Sequence, residues 1–456
     1  MKKIFYVVFV SSGFMVLSLL GNENAANAQV GNAPNAGAQK ASDTLFPGAT
    51  LQACVQYALK HYPLAQQAAL DEQITDRQVL SKLADWYPQV GLNASYQYNF
   101  QLQKIYFNGN LVPSGVSNNS TVGLGLTQNI FDRDVLLASK TKNDVRTQSR
   151  LTTVSDKIDI TVNVSKAFYD VLLTQKQIEV LNDDIERLTR NLKDAYNQYQ
   201  GGLVDKTDYK RATISLNNSK AEKKNNEEAL KAKYAVLKQL IGYTGKDMIA
   251  LSYDSVQMEG EIIIDTTEAV DYNKRVEFQS LMVQKRLQQA ELKYNKWSYL
   301  PTVSAVGAYN MNFLNSQFSK LYNQNYPNSY AGLQVSLPIF QGTKRVQNIR
   351  IAELQLTRVD YDITEQQSAI NSQYEQSIAA YKSYLNNYYI LRDNLQLARE
   401  VFNTIELQYR SGIKAYLDLI TAETDLRTAQ SNYSNALFQV LSSKLDVQKA
   451  LGTIQY

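Results

Sequence analysis

The 456 residues carry 47 basic and 43 acidic side chains, a net charge of +4, with 31 tyrosines and only 8 prolines. So even a balance leaves no basic footprint for nucleic acid. The single cysteine, Cys54, and single histidine, His61, exclude an internal disulfide, a Cys or His metal cluster and paired-thiol redox chemistry.

Lys2 and Lys3 precede an apolar run, 4–20, and Ala26-Asn27-Ala28 offers a small-x-small cleavage site. That pattern predicts a cleavable export signal over 1–28, followed by a flexible leader, 29–49. No later stretch reaches 18 consecutive apolar residues, so no spanning helix is expected.

A helical segment at 51–87 comes next, closed by Pro88. Cys54 and His61 lie inside it with no nucleophile motif nearby and read as structural. No catalytic residue, cofactor or metal is expected. From Gln89, the stretch QVGLNASYQYNF alternates without error: Val90, Leu92, Ala94, Tyr96, Tyr98 and Phe100 on one face, polar residues and Gly on the other. Val122, Leu124 and Leu126 supply a partner strand, so 89–130 reads as a strand hairpin around a loop, 101–119. Strands of this length and period suit a transmembrane β-barrel.

A Pro-free stretch, 132–200, then reads as one helix of roughly 105 Å at 1.5 Å per residue. Its heptad series Ile178, Leu181, Ile185, Leu188, Leu192, Ala195, Tyr199 predicts coiled-coil packing. A turn, YQGGLVDKTD, leads into a returning helix that ends at Gly242, and 243–267 reads as a linker at the waist.

Everything after the linker repeats what came before. The turn recurs as YRSGIKAYLD, with Tyr199 and Tyr409 separated by 210 positions, and the same offset carries the heptads onto Tyr388, Leu391, Leu395, Ala398, Phe402, Ile405 and Tyr409. Leu240-Ile241-Gly242 matches Ala450-Leu451-Gly452, and Asn129-Ile130-Phe131 matches Pro338-Ile339-Phe340. The chain is therefore read as a duplication. Residues 50–245 form the first unit. The second, 268–452, has a helix, a strand hairpin 301–340 with loop 314–329, and a long helical hairpin 341–451. A short tail, 453–456, follows. The second unit lacks an upper return rod, which 51–87 of this chain or a neighbour must supply. Four strands per chain cannot close a barrel, and lipid tolerates no open edge, so copies must pool their strands.

In these features the chain resembles the TolC-like outer-membrane efflux proteins. The resemblance spans about 50–452 and rests on the duplication, the Pro-led strand hairpins, the Ile-Phe entries into long helices and the Tyr-x-x-Gly turns. It implies a homotrimer, mainly α with transmembrane β: a twelve-strand barrel in outer-membrane lipid, continuous with a twelve-helix periplasmic α-barrel. It implies a passive duct, reached through a periplasmic adaptor from an inner-membrane pump of RND, ABC or MFS type. The pump chooses among drugs, metal ions, dyes and polypeptides. The turns would lie at the periplasmic tips and form an iris. Thr207 and Asp208 resemble the acceptors of the gate latch, and Tyr409 and Lys414 its donors. Lys at 414, where Arg is frequent, implies a contact without a bidentate fork. Asp418 falls where an acidic ring lines the constriction, and Thr421 where a second acidic ring often sits. Gly202, Leu203, Gly412 and Ile413 would meet the adaptor. The rival reading is a non-spanning periplasmic coiled-coil adaptor or tether, which would have no use for lipid-facing strands.

Overall fold

The computed structural model describes residues 48–202, 204–245, 249–252 and 255–456. The export signal and nearly all of the leader lie outside the described residues. Helices α1 (Leu51–His61) and α2 (Pro63–Ala84) take the place of the single segment expected over 51–87. Pro63 is the cause. The residue before a proline is pushed out of the α region, and Tyr62 sits at φ −67°, ψ 127°, so that Pro63 opens the second helix from its N1 position.

Strand β1 (Gln89–Tyr98) follows, then β2 (Gln103–Phe107), β3 (Asn110–Ser114) and β4 (Asn118–Phe131). The interval expected as a loop thus contains its own hairpin. Its turn is Asn108-Gly109, both with positive φ (49° and 83°), the conformation that matches the twist of two paired strands.

The first long helix, α3 (Arg133–Gln200), is capped by Asp132, whose Oδ1 accepts from the Asp134 and Val135 N–H groups. Helix α4 (Lys206–Ile241) returns alongside it, and a short α5 (Ser255–Glu261) interrupts the linker. Then come α6 (Val276–Lys296), β5 (Thr302–Asn315), β6 (Asn328–Ser336), the second long helix α7 (Lys344–Arg410) and its return α8 (Tyr416–Leu451).

Strands β1, β4, β5 and β6 form one antiparallel sheet in that spatial order, so the two hairpins are zipped together along β4–β5. Residues opposed across an antiparallel pair share a face. Val90 opposes Leu126, and Leu92 opposes Leu124, which opposes Tyr309; Val303 opposes Val335 and Ala305 opposes Leu333. The alternation of each strand thereby adds up to one apolar face across the whole sheet. Near one end the helical turn Phe318–Asn323 packs on it, Phe318 against Tyr96 (5.8 Å) and Tyr322 against Phe313 (5.1 Å). Elsewhere no described element covers it, and Val90 and Leu92 are each 68 % exposed. The outer edges of β1 and β6 pair with nothing in the sheet.

Each long helix is flanked by two shorter ones in succession. The first half of α3 meets α2 through Arg146–Asp76 (2.6 Å) and α6 through Arg286–Asp144 (2.7 Å). Its second half meets α4 through Lys233–Asp170 (2.8 Å) and α8 through Lys166–Asp446 (2.6 Å). These pairs are largely exposed and fix register more than they stabilise. The stabilising burial lies between them, where Phe168, Val171, Leu172, Phe438, Leu441 and Val447 are enclosed.

At the waist the same cap is built twice. Gly242 and Gly452 both sit at φ +71° and end α4 and α8 in left-handed turns. Added Cβ atoms would come within 2.6 Å of the His61 and Lys274 carbonyl oxygens respectively, so both turns need glycine for closeness as well as for φ. The linker is tied to α7 by Tyr381. Its buried hydroxyl donates to the Ile262 carbonyl at 2.7 Å and accepts from the Ile264 N–H at 3.2 Å.

Candidate functional site

The two hairpin tips carry most of the residues that the sequence singles out. Gly202 (φ +71°) and Gly412 (φ +74°) adopt the left-handed conformation that stops a helix without a Cβ penalty. Their N–H groups donate to the Tyr199 and Tyr409 carbonyls, at 3.0 and 2.9 Å. Open space surrounds both glycines, and Ile413 stands exposed beside the second. Leu203 lies outside the described residues.

The tyrosine of each turn has a packing role. Tyr199 lies against Tyr209 with ring centroids 5.1 Å apart, and Tyr409 against Tyr416 at 5.9 Å. Each turn is thus pinned by an aromatic pair between descending and returning helices. Above them Leu395, Phe402, Leu419, Leu426 and Ala212 form the apolar plug of the tip.

The acids of the returning helices begin as capping groups. Asp205 accepts from the Thr207 N–H at 3.1 Å, and Asp418 reaches back to the Ala415 N–H at 3.3 Å. Asp208 and Asp418 both lie in first turns, where the helix dipole favours negative charge.

Within one chain the four residues expected to form a latch are not all brought together. Lys414 lies 3.9 Å from Asp418, and the Tyr409 hydroxyl faces Gln198 Oε1 at 3.5 Å. Asp208 is near enough to act electrostatically: burial first, then Asp194 and Asp208, hold the Tyr409 phenol above its ordinary pKa. Thr207 is exposed. Thr421 is also exposed and bonds back to the Leu417 carbonyl at 2.8 Å.

One feature of the tips escaped the sequence. Asp184 and Glu423 are buried between the hairpins, each 2 % exposed, with Arg187 at 3.4 Å from both. The visible signal was an acid in an apolar register. Glu423 continues the buried series Tyr416, Leu419, and Asp184 lies between Leu181 and Leu188. Burial, then repulsion from Asp184, raises Glu423 to about 7, while Arg187 and Asn191 oppose the rise.

Among the described residues no group of histidine, cysteine or carboxylate side chains is arranged to hold a metal ion, and no helix is long and apolar enough to cross a membrane. The latter says nothing about the sheet. The sequence model of the outer membrane efflux proteins matches residues 54–243 and 273–453, one block on either side of the linker. The chain belongs to the outer membrane efflux protein family. Such proteins are channels and not enzymes. Outer membrane protein TolC of Escherichia coli strain K12 is 21 % identical over 427 residues, covering 90 % of this chain and 84 % of TolC. The alkaline protease secretion protein AprF of Pseudomonas aeruginosa is 22 % identical over 63 % of this chain and 60 % of its own length. Among solved structures, the open state of the Neisseria gonorrhoeae MtrE outer membrane channel superposes with a TM-score of 0.71 at 17 % identity, covering 89 % of this chain and 91 % of MtrE. At such identity the superposition establishes the fold of this efflux family member, an outer-membrane efflux or secretion channel.

Proposed function

We propose that three copies of this chain join their sheets into a twelve-strand barrel and their helices into a tunnel. The tube is a passive exit duct, fed by an inner-membrane pump through a periplasmic adaptor. The observation that carries this reading is the four-stranded sheet, apolar and exposed over most of one face and unpaired at both edges. Ten residues of β1 extend about 33 Å, enough to cross the hydrocarbon layer when tilted. An apolar face with open edges is costly in water, and open edges are costly in lipid. Pairing β1 of one copy with β6 of the next removes both costs.

The helices support the same association. Leu64, Leu70, Ile74 and Leu80 of α2, and Val346, Ile351, Leu354 and Tyr361 of α7, remain exposed. Adjacent copies would bury these two stripes against each other, supplying the missing return rod beside α7 from the neighbour. A non-spanning adaptor or tether needs no lipid-facing sheet.

At the opposite end the tips form the gate in this reading. Lys414 of one copy reaches Asp208 of the next, and the Asp418 carboxylates ring the constriction with Thr421 above them. The glycine turns, 202 and 412, and Ile413 are presented to the adaptor. The export signal delivers the chain to the periplasm, and neither metal nor cofactor takes part.

The test is direct. The full chain, expressed with its export signal, should fractionate with the outer membrane as a heat-modifiable trimer and open conducting channels in planar bilayers. A monomer soluble without detergent would refute the proposal.

A further inference from the structure

Roughly four turns above the tip of α3, both hairpins meet around charged and polar groups that the latch does not use. Arg187 of α3 reaches Glu423 Oε1 of α8 and Asp184 Oδ1 of its own helix, each at 3.4 Å. Asn191 donates to Glu423 Oε2 at 3.1 Å. Ser219 of α4 donates to Asp184 Oδ2 at 2.7 Å and accepts from Arg427 of α8 at 2.8 Å. Arg427 also stands 3.6 Å from Asp184 and 3.5 Å from Glu222. From the fourth helix, Phe402 of α7 lies under the Arg187 guanidinium, 5.7 Å from ring centroid to carbon.

The contacts of Glu423 with Arg187 and Asn191, and those of Arg427, cross from one hairpin to the other. Sliding the hairpins apart therefore breaks them together. Within this seam two carboxylates, Asp184 and Glu423, compete for Arg187, while Arg427 is shared with exposed Glu222. Around Glu423 the remaining titratable neighbours are Tyr416 on its own helix and, beyond that ring, Tyr409 of α7 and Asp208 of α4. Tyr416 is buried, and burial followed by Glu423 raises its phenol above the ordinary range. It stays neutral.

We propose that this seam is a pH-responsive clasp, in which ionisation of Glu423 loosens the two hairpins and protonation tightens them. The proposal rests on the reading of the hairpin tips as a gate. A protonated Glu423 suits a dry seam; an ionised one places a buried anion beside Asp184. Arg187 then has two carboxylates to satisfy.

The sign follows from linkage. Closed, Glu423 titrates near 7; exposed by separation of the hairpins, it returns to the ordinary 4.5. The closed form binds the proton more tightly, so closure is favoured most below pH 4.5. It weakens as pH rises from 4.5 to 7 and gains nothing from Glu423 above 7. Over that window the closed-to-open ratio falls by on the order of 100-fold per chain.

The experiment is the conductance of the full channel in planar bilayers between pH 5 and 8.5. The wild type should conduct more as pH rises, reaching a plateau above pH 7. Glu423→Gln should hold the low, acid-limit conductance at every pH. Arg187→Gln removes the cation that favours ionised Glu423 and should carry the rise to higher pH. A packing role alone would change thermal stability and leave the pH profile in place. A flat wild-type profile, or a Glu423→Gln channel that keeps the wild-type profile, overturns the clasp. The double variant Asp208→Ala, Lys414→Ala distinguishes this failure from failure of the gate. If the tips gate, it conducts more than wild type at all pH values even where the profile is flat. Unchanged conductance there overturns the gate and the clasp with it.

Discussion

Tyr381→Phe removes one oxygen atom and should release the linker at the waist. The hydroxyl serves the Ile262 carbonyl at 2.7 Å and the Ile264 N–H at 3.2 Å, and the side chain is fully buried. Burial holds the phenol above its ordinary pKa although the Ile264 N–H pulls the other way, so the clamp is independent of pH near neutrality. Phenylalanine fills the same ring volume and opens no large cavity. The loss is therefore two hydrogen bonds and the cost of a peptide carbonyl left without a partner, about 1–3 kcal/mol. Because 1.4 kcal/mol is tenfold, amide exchange at Ile264 should accelerate about 5- to 150-fold. Hydrogen–deuterium exchange on the intact channel reads this directly, with the amides of α7 around residue 381 as the internal control. Equal exchange at Ile264 in wild type and variant would refute the clamp. Equal acceleration throughout α7 would show general loosening of the helix rather than release of the linker, and would refute the clamp as well.

Two further outcomes are expected. Gly452→Ala must place a Cβ within 2.6 Å of the Lys274 carbonyl at φ +71°, whereas Gly412→Ala meets open space at φ +74°. Both incur a left-handed backbone penalty of about 1–2 kcal/mol, so thermal melting should show Gly452→Ala the more damaging by the added clash. Asp418→Asn keeps an acceptor for the Ala415 N–H, now at 3.3 Å, and removes the charge. A unit charge about 5 Å from a passing ion in water contributes about 0.8 kcal/mol. In the proposed ring each of three copies loses one such charge, about 2.5 kcal/mol in all. The cation preference, measured as the zero-current potential under a salt gradient, should therefore fall by up to about 60-fold.

Features set by local period or by one special residue were legible in the sequence. The alternation from Gln89 to Tyr98 is strand β1, the Pro-free stretches are α3 and α7, and the glycines of the tips adopt left-handed turns. Two departures from the expected elements have local causes. Pro63 breaks the first helical segment, and Asn108-Gly109, between Ile105-Tyr106-Phe107 and Asn110-Leu111-Val112, is a hairpin signature inside the expected loop. Zipping β4 to β5 is of another kind, because it joins residues such as Leu124 and Tyr309 that no window spans. The Asp184–Arg187–Glu423 seam fell between the two. Charged residues on long helices are usually solvated faces, and only their heptad register marks these acids as buried. The side-chain partners at the tips were least legible, since within one chain Lys414 turns to Asp418 and not to Asp208.

The bare margins of β1 and β6 constrain the chain's biogenesis. A solitary copy has no stable resting place on either side of the lipid boundary, because its margins stay adhesive in water and starved of partners in oil. For the proposed barrel, joining of margins and entry into the bilayer must therefore be a single concerted event, and each copy needs shielding until its companions arrive. A copy with one spoiled margin would leave a ruptured seam in any ring it entered. Defective and sound alleles made in the same cell should therefore behave as dominant and recessive respectively.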